Sequence, residues 1–102
     1  MRRAERRDKS LQKAHYSVLV IDDDELVRRG IVAVISEEPN FSVCGSAGDE
    51  CTAVKLLERH GPDFMLLDLS LLHRDGLLFL KDIADRFPNT RIIALSEYQG
   101  EL

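Results

Sequence analysis

The sequence predicts an α/β fold, a doubly wound parallel sheet with helices on both faces. Short runs rich in β-branched and other apolar residues alternate with longer segments whose apolar residues recur at helical spacing. The order is β-α-β-α-β-α-β, and right-handed crossovers between successive strands then give a mainly parallel sheet. With 102 residues, the chain is long enough for one domain with a modest core.

Four apolar runs are predicted to form the strands. The third is almost continuously apolar, which is typical of a central strand that is buried on both faces. The Gly, Pro and Asn residues that separate these runs from the helical segments mark the turns. The predicted strands are SVLVI (17–21), FSVCGSA (41–47), DFMLLDL (63–69) and RIIALS (91–96).

Three amphipathic segments between the strands are predicted to form helices. The segment 24–38 begins at Asp24 as N-cap, the segment 49–61 ends at Gly61 as C-cap, and Pro88 follows the segment 75–87. Apolar residues at helical spacing are expected to face the sheet. They are Leu26, Val27, Ile31, Val34 and Ile35 in the first helix and Leu77, Leu80, Ile83, Ala84 and Phe87 in the third.

Charge divides the chain into two parts. Residues 1–16 carry six Arg or Lys against two acidic residues, whereas residues 17–102 carry eight against sixteen. We expect the first part to be a solvated, disordered basic tail and the second to form the domain. An acidic body argues against direct nucleic-acid binding by the folded part, whereas the tail is free to contact an acidic partner or nucleic acid.

Composition also indicates the compartment. No apolar run approaches the roughly 20 residues that a membrane helix needs, and the charged N-terminus lacks the apolar centre of a secretory signal. The two cysteines, Cys44 and Cys51, lack the spacing of a zinc site. We therefore expect a cytoplasmic chain that does not contact a membrane.

Acidic residues follow two of the predicted strands. Asp22 and Asp23 follow the first strand, Asp68 ends the third, and Ser96 ends the fourth. Ligands of doubly wound sheets bind at the carboxyl ends of the strands, so these side chains converge if the first and third strands are neighbours. Carboxylates suit Mg²⁺, and a carboxylate beside bound Mg²⁺ can be a nucleophile towards an activated phosphoryl group.

Three segments resemble the receiver domain of two-component response regulators. VLVIDDDELVRRGI is similar to its acidic-pair segment, FMLLDLSLLHRDGL to its phosphoacceptor segment, and RIIALS to the strand with the switch hydroxyl. The resemblance covers about residues 17–98 and implies a flavodoxin-like topology. DELVRRG, FSVCGSAGDE and FPNTRIIALS further resemble the NarL/LuxR type, whose receivers precede a helix-turn-helix output domain.

This resemblance implies a role for each matching residue. Asp68 would accept a phosphoryl group from a sensor histidine kinase. Asp22, Asp23 and Asp68 would hold Mg²⁺ together with the backbone carbonyl of Ser70, and the hydroxyl of Ser96 would report phosphorylation. The protein would then be a switch, with at most self-catalysed phosphoryl transfer and dephosphorylation rather than enzymatic turnover.

The chain also departs from the family pattern. Leu72 stands where the family usually has Pro, and Glu97 follows Ser96. The family carries a further helix, strand and helix after this point, including a Lys that pairs with the phosphoryl group. We therefore expect a C-terminally truncated receiver, whose RIIALS strand is an uncovered apolar edge and forms a homodimer. DNA would be contacted only through an output domain absent from this chain.

Two alternative functions remain open at this point. The departures favour a degenerate receiver that acts as an interaction or dimerisation module without phosphorylation. A more remote alternative is a phosphatase of the haloacid-dehalogenase type, because Asp22-x-Asp24 resembles the nucleophile and acid pair of that family. In the receiver interpretation, Asp24 is instead the N-cap of the first helix.

Overall fold

The predicted parallel α/β sheet is confirmed by a computed structural model, which describes residues 14–68 and 76–95. The four strands are parallel and lie in the order β2-β1-β3-β4. The described elements are β1 (Tyr16–Ile21), α1 (Glu25–Ser36), β2 (Phe41–Ala47), α2 (Glu50–His60), β3 (Phe64–Asp68), α3 (Gly76–Arg86) and β4 (Arg91–Leu95).

Strand β1 is the centre of the sheet. It pairs with β2 on one side and with β3 on the other, and its last four residues, 18–21, are buried. Ile21 lies opposite Ala47 of β2 and opposite Leu67 of β3. The carboxyl ends of these three strands are therefore adjacent, as the sequence interpretation required.

One face of the sheet carries the core. Side chains alternate between faces along a strand, so the odd-numbered residues of β1 and β3 share this face and meet α2 and α3. Ala53 and Leu57 of α2 and Phe79 and Ile83 of α3 cover it. The buried cluster consists of Leu19, Ile21, Ala47, Ala53, Leu57, Met65, Leu67, Phe79 and Ile83.

Within the described part of the chain, the opposite face is only partly covered, by α1. None of the α1 residues is fully buried, and Leu26, Val27 and Val34 are 79%, 44% and 66% exposed. The sequence predicted that these three residues face the sheet. They are more exposed than this prediction implied, because α1 covers β1 and β2 but leaves β3 and β4 open. Ile93 of β4 is 42% exposed on the uncovered part.

The buried stripe of α3 agrees with the prediction in part: Ile83 is buried and Leu80 and Phe87 pack partly buried against the core, as predicted, but two other residues differ. Gly76, Phe79 and Ile83 are buried, whereas Leu77 is 79% exposed and Ala84 is also exposed. A stripe through 76, 79 and 83 has helical spacing, and the expected stripe that contained Leu77 is rotated by one residue from it. Apolar spacing alone did not distinguish the two, because four consecutive large apolar residues, 77–80, stand near the start of the helix.

Predicted helix ends are confirmed where their caps are described. The Asp24 carboxylate accepts hydrogen bonds from the backbone N–H groups of Leu26 and Val27, and Asp49 accepts one from Thr52. Gly61 ends α2 in the left-handed conformation, with φ 54°. Residues 1–13 of the predicted basic tail lie outside the described residues, and β1 begins at Tyr16.

No helix within residues 14–68 and 76–95 combines the length and the apolar character that crossing a bilayer requires.

Two glycines should respond in opposite directions to substitution by alanine. Gly61→Ala should lower the free energy of unfolding by about 1–2 kcal/mol, because φ 54° is unfavourable for a residue with Cβ. Gly30→Ala should raise it by about 0.5–1 kcal/mol, because Gly30 lies within α1.

A Cβ at either glycine would meet no atom within 4 Å, so backbone conformation alone separates the two variants. Urea unfolding followed by circular dichroism measures both changes. A stabilising Gly61→Ala substitution would contradict the described end of α2.

Candidate metal centre

Neighbouring strands place three carboxylates at one edge of the sheet. Asp22 and Asp23 directly follow β1, and Asp68 is the last residue of β3. Ile21 and Leu67 are register partners, so the acidic residues that follow them start from adjacent positions. Asp22, Asp23 and Asp68 each offer a carboxylate oxygen, and these oxygens all lie within 4.8 Å of one another.

The three carboxylates differ in exposure. Asp22 is buried, with 2% of its surface exposed, whereas Asp68 is half-buried and Asp23 is exposed. The site therefore has a buried side formed by Asp22 and an open side formed by Asp23. A small cation can enter from solvent and still contact all three residues.

Burial raises the pKa of the Asp22 carboxyl above its ordinary value. A backbone hydrogen bond, from the N–H of Asp24 to Asp22 Oδ1 at 2.9 Å, acts in the opposite direction, and the charges of Asp68, Asp23 and Asp24 raise the pKa further. A raised pKa in the folded state means that stability falls as pH rises above the ordinary range of Asp. The fold therefore carries this carboxylate at a cost, which a bound cation would offset.

Asp24 belongs to the helix and lies outside the described carboxylate cluster. Its Oδ1 caps α1 through hydrogen bonds of 3.0 Å to the N–H of Leu26 and 3.2 Å to that of Val27. The predicted N-cap is confirmed. This geometry does not favour the haloacid-dehalogenase alternative, because the Asp24 side chain is engaged by the helix and Asp68 stands beside Asp22 instead.

A second interaction at this edge was not anticipated from the sequence. The guanidinium of Arg28 donates a hydrogen bond from Nη1 to the backbone carbonyl of Asp22 at 2.7 Å. Arg28 and Arg29 are adjacent, and a pattern of charges does not show which one faces the loop. The sequence feature that could have indicated this contact is Gly48, which follows β2 and leaves space beside the Asp22 carbonyl.

Two predicted site residues, Ser70 and Ser96, lie outside the described residues. The same holds for Leu72 and Glu97, the positions where the chain departs from the family pattern. Their predicted roles therefore stay predictions. The described part of the site consists of Asp22, Asp23 and Asp68.

The donor set fits a hard divalent cation. Mg²⁺ prefers carboxylate oxygens and water and usually uses one or two carboxylates with further oxygen ligands. Three carboxylates within 4.8 Å of one another supply such oxygens, and their mutual repulsion favours a cation between them. The cysteines Cys44 and Cys51 are not part of the cluster. The arrangement can therefore bind a metal and present a carboxylate nucleophile beside it.

The fold and this acidic edge together define a receiver-type module, and the chain belongs to the response regulator receiver domain family, whose model matches residues 18–101. The family assignment made from the sequence is therefore confirmed. Its flavodoxin-like architecture agrees with the solved structure of the signal receiver domain of NarL from Mycobacterium tuberculosis. That structure is 30% identical, with a TM-score of 0.74, over 86% of this chain and 71% of the solved receiver-domain chain.

Curated relatives carry different outputs. The transcriptional regulatory protein DegU of Brevibacillus brevis is 31% identical over 82% of this chain and 36% of DegU. Protein-glutamate methylesterase/protein-glutamine glutaminase 2 of Oleidesulfovibrio alaskensis is 40% identical over 85% of this chain and 25% of that enzyme. The chain thus spans about a third or less of these relatives, and the similarity concerns a receiver module.

Proposed function

We propose that this chain is a phosphorylation switch in which Asp68 accepts a phosphoryl group from a sensor histidine kinase. The observation that carries the proposal is the convergence of Asp22, Asp23 and Asp68 at one edge of a receiver fold. The switch acts in the cytoplasm and regulates a transcriptional output, a proposal supported by the relative DegU, a transcriptional regulatory protein. The residues that precede β1, which begins at Tyr16, are proposed as its basic tail.

The Asp68 carboxylate is the nucleophile of this proposed reaction. One carboxylate oxygen forms a bond to phosphorus while the bond from phosphorus to the donor histidine nitrogen breaks, and that nitrogen keeps the electron pair. Mg²⁺, when bound, neutralises charge on the phosphoryl oxygens. Asp22 and Asp23 form the cation site. The Ser70 carbonyl is proposed as a further ligand of the cation, and the Ser96 hydroxyl is proposed as the switch group.

The phosphorylation proposal is tested by titrating the chain with Mg²⁺ and then with beryllium fluoride, which imitates a phosphoryl group on a carboxylate. NMR shifts of the backbone amides near Asp68 should saturate with Mg²⁺ and change again with beryllium fluoride. Asp68→Asn should abolish the second response, because it removes the acceptor oxygen. Asp85→Asn is the matched control, since Asp85 is exposed on α3 and pairs with Lys81 at 3.2 Å.

Absence of any response in the wild-type chain would contradict the proposal and support the degenerate interaction module. Hydrolysis of a phosphate ester that Asp22→Asn abolishes and Asp68→Asn leaves intact would support the phosphatase instead.

We further propose that a second copy of this chain covers the open face of the sheet. A cavity of about 280 Å³ lies between the C-terminal half of α1 and the uncovered parts of β3 and β4. It adjoins the edge strand β4, whose Ile93 and Leu95 are 42% and 38% exposed. Its lining consists of Val18, Val34, Ile35, Glu38, Phe41, Phe64, Leu66 and Ile93.

An apolar groove beside an edge strand suits a two-fold interface. Both copies present the same surface in such a dimer, so apolar side chains meet apolar side chains. The outer edge of β4, which has no neighbouring strand among the described residues, can pair with its counterpart. The expected homodimer is therefore a property of the α1–β4 face and does not involve the acidic edge.

Sedimentation equilibrium over a concentration series should show a reversible dimer for the wild-type chain. Ile93→Lys should shift it to monomer, because a charge would be buried at the centre of the groove. Leu77→Lys is the control: Leu77 is 79% exposed on α3, on the other side of the sheet, and its substitution should leave the dimer intact. A wild-type chain that stays monomeric at the highest concentration would contradict the dimer.

A further inference from the structure

Arg28 connects the start of α1 to the acidic loop. Its backbone N–H donates to the Asp24 carbonyl at 2.9 Å, as expected in the first turns of a helix. Its side chain turns back along the helix, and Nη1 donates to the carbonyl oxygen of Asp22 at 2.7 Å. A hydrogen bond from a charged donor is short and stronger than one between neutral groups. Arg28 thus holds the backbone of the residue that contributes the buried carboxylate.

The guanidinium lies between two loops. A Cβ on Gly48 would be 3.0 Å from Arg28 Nη1 and 3.7 Å from the Asp22 carbonyl oxygen. The φ of Gly48 is not in the left-handed region, so glycine here supplies space rather than an unusual backbone conformation. The N–H of Asp22 also donates to the Ala47 carbonyl at 3.0 Å. Asp22 is therefore held at its N–H by the end of β2 and at its C=O by Arg28 of α1.

We propose that Arg28 is a positioning residue that fixes the Asp22 backbone and so keeps the Asp22 and Asp23 carboxylates directed at Asp68. The inference rests on the proposed cation site and deepens it. The three carboxylates repel one another, so a free loop would relax by moving Asp22 and Asp23 away from β3. Arg28 opposes that movement through the carbonyl and makes no described contact with the carboxylates. Outer groups that orient metal ligands change metal affinity about 10–100-fold when they are removed.

The adjacent arginine provides a matched control. Arg29 lies on the same helix, is 75% exposed, and pairs with Glu25 at 3.1 Å. Arg28→Met and Arg29→Met remove the same charge from neighbouring positions, but only the first removes the hydrogen bond to Asp22. A general electrostatic effect of removing a positive charge would strengthen Mg²⁺ binding in both variants. A positioning effect would weaken it only in Arg28→Met.

The test is calorimetric or NMR titration of the full chain with Mg²⁺, at a temperature where each variant is folded. Arg28→Met should bind Mg²⁺ about tenfold more weakly than the wild type, and Arg29→Met within about twofold of it. Gly48→Ala provides an independent route, because its Cβ displaces the Arg28 guanidinium. Its effect on the Mg²⁺ dissociation constant should disappear in the Arg28→Met background.

This coupling separates positioning from a general loss of stability. A merely structural Arg28 would lower the unfolding midpoint of the folded protein without changing its Mg²⁺ dissociation constant. Equal Mg²⁺ affinity of the wild type and Arg28→Met would overturn this inference alone. A wild-type chain that binds no Mg²⁺ would overturn the proposed cation site, and this inference with it.

Discussion

The central position of β1 is the constraint on which the rest of the structure depends. Because β1 pairs with both β2 and β3, residues 18–21 are buried on both faces and fix the register of both neighbours. The chain then leaves the sheet at the end of β1, between the carboxyl ends of β2 and β3. Asp22, the next residue, is consequently 2% exposed although it is ionisable. The position of the acidic edge thus follows from the packing of an apolar strand.

That position has an energetic cost. A buried carboxylate near two other carboxylates is unfavourable, and burial is the main cause of the raised pKa of Asp22. Two hydrogen bonds stabilise Asp22 in different ways. The N–H of Asp24 donates to the Asp22 carboxylate, and the guanidinium of Arg28 donates to the Asp22 backbone carbonyl. Neither places a positive charge among the three carboxylates. This residual repulsion is the physical basis for assigning a cation to the site.

Much of the fold could be predicted from the sequence because its signals are local. The Asp24 cap, the Gly61 cap and the alternation of strands and helices each depend on neighbouring residues, and each is confirmed. The convergence of Asp22 and Asp68 needed one additional condition, that β1 and β3 are neighbours, and the strand order satisfies it.

Features that depend on tertiary packing could not be predicted. The exposure of Leu26 and Leu77 depends on how much of each sheet face the helices cover, which apolar spacing does not specify. The contact from Arg28 to the Asp22 carbonyl depends on the space that Gly48 leaves after β2, two elements along the chain from β1. Because Arg28 and Arg29 are adjacent and identical in type, the sequence does not show which of them makes this contact.

The central claim is that the fold holds Asp22 at a cost that a divalent cation removes. The most direct measurement is the thermal unfolding midpoint of the wild type and of Asp22→Asn, with and without Mg²⁺. Without Mg²⁺ the variant should unfold at the higher temperature, by about 4–8 °C for each kcal/mol of repulsion removed. Mg²⁺ should raise the wild-type midpoint more than that of the variant and narrow the difference. A variant that is less stable without Mg²⁺, or an equal Mg²⁺ effect on both proteins, would contradict the claim.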